Sequence, residues 1–209
     1  MLVCDIHTHL WAADSPDRPW PPGGPEYFRG TSHRPEPLDR EELLRRMDEA
    51  GVDRAVILPP PWEGYRNDMA LEAAHMHPDR FAVMGRLPLD EPHKAKALVQ
   101  SWENEPGIKG VRLGFRGDKE REWLSNGTAD WYWAYAEEHD IPTWVYMPNS
   151  RPQAAANAAK HPGLRLVMDN FNVPGGTVDD AIGPIADEAV ALAGYPNVSI
   201  KLSGMSGCS

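Results

Sequence analysis

The sequence predicts an α/β protein of the (β/α)8 TIM-barrel type, and three observations carry that expectation. Short apolar stretches rich in β-branched residues alternate with helical stretches, they recur about once every 30 residues as barrel repeats do, and 21 Pro with 18 Gly imply many short elements joined by frequent turns. The expected strands are Leu2–Ile6, Arg54–Leu58, Phe81–Leu87, Lys109–Leu113, Thr143–Met147, Leu164–Met168 and Val198–Leu202. They make seven βα units in a single domain over residues 1–209, with the eighth strand missing and the barrel incomplete at its C-terminus.

The first strand leads into a connection from Trp11 to Leu38 that has no periodicity and holds seven prolines, among them the run Pro19–Pro25. A loop of this length in a compact domain serves as a lid or binding surface. Asp39, three residues before Glu42, then forms a capping-box pattern; Leu43, Leu44, Met47 and Ala50 make one apolar stripe, and Gly51 supplies the stop. The second strand runs into Pro59-Pro60-Pro61-Trp62, with Tyr65, Arg66 and Asn67 beyond, a rigid aromatic loop at the end of the sheet where barrel sites form. Trp131, Trp133, Tyr135 and Ala136 are expected to pack a helix on the sheet, His139 to cap its C-terminal dipole, and His77 and His161, each before Pro, to end their helices.

Composition narrows the partners. With 21 Lys+Arg against 31 Asp+Glu the net charge is −10, which disfavours nucleic acid and anionic membrane surfaces. No apolar run reaches the roughly 20 residues of a membrane span, and the N-terminus lacks the basic start and apolar core of a signal peptide, so a cytoplasmic location is expected. Cys4 and Cys208 are too few for a disulfide framework and lack ligand spacing.

The sharpest chemical feature is Asp5-Ile-His7-Thr-His9. Strand alternation puts Asp5, His7 and His9 on one face and Cys4, Ile6 and Thr8 on the other. Two imidazoles about 7 Å apart can share a metal ion or grip one substrate oxygen. In Gly110-Val-Arg112-Leu-Gly114 one face reads Gly, Arg, Gly, which clears room for an inward guanidinium. Such an arginine needs an anion, either a bidentate substrate carboxylate or an internal acid such as Asp5. Arg116 lies in the following loop as a second clamp or a solvated side chain. Tyr146 ends its strand where its hydroxyl could meet a carboxylate or polarise a carbonyl. Ser199, Lys201 and Ser203 share a face, and Lys201 needs an acidic partner that the sequence does not name.

DIHTHLW at residues 5–11, LLRRMDEAGVDRAVILPP, HPDRFAVMGRLPLD, GIKGVRLGF and NVSIKLSG resemble, in order and spacing, the amidohydrolase superfamily and its amidohydrolase-related branch. Arg112 and Tyr146 look like the pyrone-dicarboxylate lactonase type within it. The resemblance covers residues 1 to about 205. Metal-binding members, as it implies, take further ligands from histidines ending strands five and six and an aspartate ending strand eight, which also serves as general base. Here those positions read Tyr146-Met147 and Met168-Asp169-Asn170, and the chain stops before an eighth strand. Neither Met nor Asn is a good zinc ligand. Alternation would turn Asp169 away from the face of Asn170.

The expected function is hydrolysis of a small anionic substrate, a lactone or cyclic ester. His7, His9, Arg112 and Tyr146 would be catalytic, with Arg116, Trp62, Asn170 and Ser203 contacting substrate. No cofactor is expected, or else one divalent metal, zinc or manganese, on His7 and His9. The rivals are a metal-dependent hydrolase or decarboxylase of the same family and a non-catalytic or truncated member. The expected partner is a small carboxylate-bearing molecule, not nucleic acid or membrane, with a homo-oligomer left open.

Overall fold

Seven strands alternate with helices throughout the chain, in a computed structural model that describes residues 1–203 apart from 33, 176 and 178. The fold is of the (β/α)8-barrel type, represented by seven strands. Two compact units are distinguished: Met1–Arg86 with Val99–Lys109, and Leu87–Leu98 with the chain from Gly110 onward.

In the first unit β1 (Cys4–Thr8), β2 (Arg54–Ile57) and β3 (Phe81–Gly85) pair in parallel, consecutive strands side by side. Helix α1 (Gly24–Thr31) sits inside the long connection expected to lack regular structure. Its Gly24 is required by close approach, since a Cβ there would meet the Trp62 carbonyl oxygen at 2.6 Å. Helix α2 (Arg40–Ala50) begins and ends as its sequence dictates. The Asp39 carboxylate accepts the Glu42 amide at 2.8 Å, and Gly51 closes the helix in the left-handed conformation at φ 69°. Its apolar stripe is narrower than expected, because Leu43 and Met47 are buried but Ala50 is exposed. Helix α3 (Asp68–Met76) ends at His77, whose amide bonds Ala73. Gly85 ends β3 flat beneath the Trp102 indole, which would stand 2.5 Å from an added Cβ.

After α4 (Pro92–Ser101) comes β4 (Ile108–Gly114), which belongs to the second unit from Gly110 on; that unit also holds β5 (Thr143–Tyr146), β6 (Leu166–Met168) and β7 (Val198–Ile200), with β4–β5, β5–β6 and β6–β7 all parallel. Between them lie α5 (Asp118–Glu122), α6 (Asp130–Glu138), α7 (Arg151–Lys160) and α8 (Ile182–Leu192). The aromatic helix α6 buries Trp133 and Ala136 as expected, and Tyr132 with them, whereas Trp131 and Tyr135 are only half-buried. His139 caps it as expected: its Nδ1 bonds the Tyr135 carbonyl at 2.9 Å and its ring stacks on Tyr135. His161 ends α7 and is buried against the Glu137 carboxylate, Nδ1 to Oε2 2.8 Å. Gly163 N–H and His161 together hold the Glu137 carboxyl below its ordinary range.

Strand bounds shift slightly from expectation. The first strand starts at Cys4 rather than Leu2 and runs on to Thr8, and its outer face is not uniformly apolar-buried. Thr8 is buried while Ile6 stays 43% exposed, together with Leu2 and Val3. Among the described residues β1 has one strand partner, β2, so its far side lacks a neighbour that would cover these side chains. Cys4 is exposed, and Cys208 lies outside the described residues.

Candidate active site

In the first unit the end of β1 delivers the two histidines. Alternation puts both on one face, and their rings meet edge to face with centroids 5.1 Å apart. His9 Nδ1 lies 2.6 Å from the Leu58 carbonyl. A carbonyl can only accept, so Nδ1 carries the proton and neutral His9 keeps its lone pair on Nε2. Asp5 turns back on its own strand, where Oδ1 accepts the His7 amide at 2.8 Å, and it is exposed rather than directed to a buried cation. Trp62 is buried and packs edge-on at 6.0 Å from His9, while its other neighbours are Trp11, Phe28 and Tyr27.

This aromatic cluster belongs to the connection the sequence marks as a binding surface. Trp11, Trp20, Phe28 and several prolines wall a cavity of about 320 Å³ there, with Asp14 and Arg29 among its lining. The connection is fastened by a buried carboxylate that sequence reasoning missed. Glu63, 3% exposed, accepts the Ala12 amide at 2.8 Å and the Arg18 guanidinium at 2.8 Å, and Arg18 also grips Asp68. Arg18 draws the Asp68 carboxyl below its usual value. A Glu just after a strand and an Arg in a Pro-rich loop gave no pattern to read.

In the second unit β4 places Arg112 inward, 7% exposed. The acid it meets is Asp169, not Asp5: Nε donates to Oδ2 at 3.0 Å. The other carboxylate oxygen, Oδ1, pairs with Lys201 Nζ at 2.7 Å, and that ammonium stands 4.0 Å over the Trp144 ring. So the partner missing for Lys201 is the same Asp169. Arg112 lies opposite Trp144 and Trp144 opposite Val167, so alternation along β6 carries Asp169, not Asn170, to the face of Arg112. The backbone then turns through Asn170, Phe171 and Asn172, all left-handed at φ 52°, 51° and 56°, and period-two counting no longer applies. Left-handed conformation at three successive non-glycine residues costs on the order of 1 kcal/mol or more each, the kind of strain that gathers at functional sites. Asn172 locks the turn: its Oδ1 accepts the Met147 amide at 2.8 Å and its Nδ2 donates to the Met147 carbonyl at 3.0 Å.

Asn170 Oδ1 accepts the Ser203 hydroxyl at 2.8 Å, which brings these two expected contact residues together. Ser199, on the same strand face, is exposed. Tyr146 is buried, and its hydroxyl donates to the Val173 carbonyl at 2.8 Å, leaving the oxygen lone pairs as its remaining polar capacity. Arg116 lies over the Tyr146 ring, guanidinium carbon 4.6 Å from the centroid.

A divalent metal would need more than the two imidazoles. Among the described residues no group of three or more His, Cys, Asp or Glu side chains is arranged to hold a metal ion. The donor set among these residues therefore falls short of the three protein ligands of a catalytic zinc site. Among the described residues no helix is long and apolar enough to cross a membrane.

Parallel strands alternating with helices, with polar side chains gathered at strand ends, define a barrel-type α/β protein. The chain belongs to the amidohydrolase family, whose model (Amidohydro_2) matches residues 4–208. Gamma-resorcylate decarboxylase of Rhizobium radiobacter is 25% identical over 158 residues, 66% of this chain and 48% of that protein. The chain thus matches about half the length of its curated relatives. Among solved structures, an amidohydrolase of Burkholderia multivorans with bound zinc superposes with a TM-score of 0.75 at 23% identity, covering 98% of this chain and 70% of the other. A probable 2-pyrone-4,6-dicarboxylic acid hydrolase of Acinetobacter baumannii with citric acid bound gives 0.63 at 19% identity, over 100% and 72%. These two likenesses speak for the fold.

Proposed function

We propose that the protein is an amidohydrolase-family hydrolase acting on a small carboxylate-bearing lactone or cyclic ester. The observation that carries this reading is Arg112. With Nε held by Asp169, its Nη1 and Nη2 make no other hydrogen bond among the described residues, and a guanidinium edge presented in this way matches a carboxylate bidentately. His9, protonated on Nδ1, offers Nε2 as proton acceptor for an attacking water, and His7 polarises the ester carbonyl. Stabilisation of the resulting oxyanion would supply most of the rate.

The test is hydrolysis of 2-pyrone-4,6-dicarboxylate, followed by loss of the pyrone absorbance. Arg112→Ala is expected to raise KM about tenfold or more, and His9→Ala to lower kcat by about 10² to 10⁴. Turnover in the wild type that neither variant changes would remove the reading. The decarboxylase relative supports a second reading, and release of carbon dioxide from 2,6-dihydroxybenzoate with no pyrone opening would select it.

A further inference from the structure

Asp169 is fully buried and shared by two cations from two other strand ends, Arg112 on Oδ2 and Lys201 on Oδ1. Lys201 itself is pinned by the main chain, its amide donating to Met168 O at 2.9 Å and its carbonyl accepting the Phe171 amide at 3.0 Å. Its ammonium lies against the Trp144 face. Burying three charges returns little net stability compared with apolar side chains of the same volume, so such a trio is favoured where it orients something. A guanidinium tied only through Nε can still swing about the Nε–carboxylate contact. A carboxylate whose second oxygen is anchored to a fixed ammonium cannot follow it.

We infer that Asp169 is a positioning residue and Lys201 its anchor: together they hold Arg112 by Nε so that Nη1 and Nη2 are kept for a substrate carboxylate. The inference rests on the reading of Arg112 as the carboxylate clamp. Asn at 169 would offer one oxygen and one NH2 to two cations, so one of the two loses its acceptor and the guanidinium loses its fixed setting. Replacing Lys201 by Met in that background removes the conflict, because the amide oxygen can then serve Arg112 alone and the thioether can pack on Trp144.

Calorimetric titration of the full chain with benzene-1,3-dicarboxylate, a planar dicarboxylate that cannot be hydrolysed, tests this without needing turnover. D169N is expected to bind the probe about tenfold or more weakly, and D169N/K201M to recover to within about threefold of wild type. D169E, which keeps the charge but moves it by one methylene, is expected to weaken binding as D169N does, and decides the matter if D169N does not fold. Wild-type affinity in D169N or D169E, or no recovery in the double variant, overturns the positioning role while leaving Arg112 as a clamp. Undiminished binding by R112A, or no binding by the wild type, overturns the clamp itself and this inference with it.

Discussion

Replacing Asn172 by alanine strips two hydrogen bonds from the exit of β5. The Asn172 carboxamide and Met147 are both fully buried, and the amide pairs with the Met147 N–H at 2.8 Å and C=O at 3.0 Å as a neighbouring strand would. With Ala, both main-chain groups are left in the interior without partners, at about 1–3 kcal/mol each. Alanine must also hold φ near 56°, a conformation that disfavours any residue with a Cβ and favours Asn over Ala. With about 1 kcal/mol for the backbone the sum is a loss of about 3–7 kcal/mol, or roughly 6–28 °C in Tm for a chain of this size. Asn172→Gly separates the two causes: it loses the same hydrogen bonds but relieves the backbone, and should be about 1 kcal/mol more stable than Asn172→Ala. Urea unfolding followed by circular dichroism measures both. If Asn172→Ala lies within 0.5 kcal/mol of wild type by that assay, or the glycine variant is the less stable, the account of this turn is wrong.

Gly85→Ala should cost about 1–3 kcal/mol by overpacking, since the new methyl meets the Trp102 ring at 2.5 Å, and Trp102→Leu in the same chain should recover much of it in a thermal melt. Glu63→Gln leaves either the Ala12 amide or Arg18 facing an NH2 group, and should lower stability by about 1–3 kcal/mol in urea unfolding. The Glu42 carboxyl, bonded by Arg45 and then Arg46, is lowered from 4.5 to about 2. A carboxyl depressed by folding stabilises fully above its ordinary value, and that contribution disappears as pH falls toward 2. Carbon-13 NMR titration should place the midpoint of this group at about 2, and a midpoint near 4.5 would count against the Arg45 and Arg46 pairs.

Local features were legible wherever the signal and its partner lie a few residues apart. Asp39 and Gly51 bound α2, and His77, His139 and His161 end helices, because caps are satisfied by the adjoining turn. The strand–helix rhythm was likewise readable, since each strand is a short apolar run closed by turn residues. The placement of His7 and His9 on one face followed from alternation alone, and their rings do meet. Legibility failed where the chain leaves regular geometry. Helix α1 hides among prolines because its stability comes from packing Phe28 and Tyr27 against Trp62 rather than from its own pattern. Ala50 and Ile6 are exposed although their periodicity says otherwise, since burial depends on what stands opposite.

The sequence by itself determined the repeat of strand and helix, the helix boundaries, and the presence of two imidazoles and an inward guanidinium at strand ends, all set by local sterics, hydrogen bonding and periodicity. Only the tertiary structure decided that Arg112 pairs with Asp169, that Lys201 shares the same carboxylate, and that Glu63 fastens the long connection. Those pairings join residues 57, 32 and 45 positions apart. The register sets Arg112, Trp144, Val167 and Ser199 side by side, so Asp169 and Lys201, each two residues further along its strand direction, reach the face of Arg112; which strands become neighbours, and therefore which charges meet, is written in no single stretch of chain.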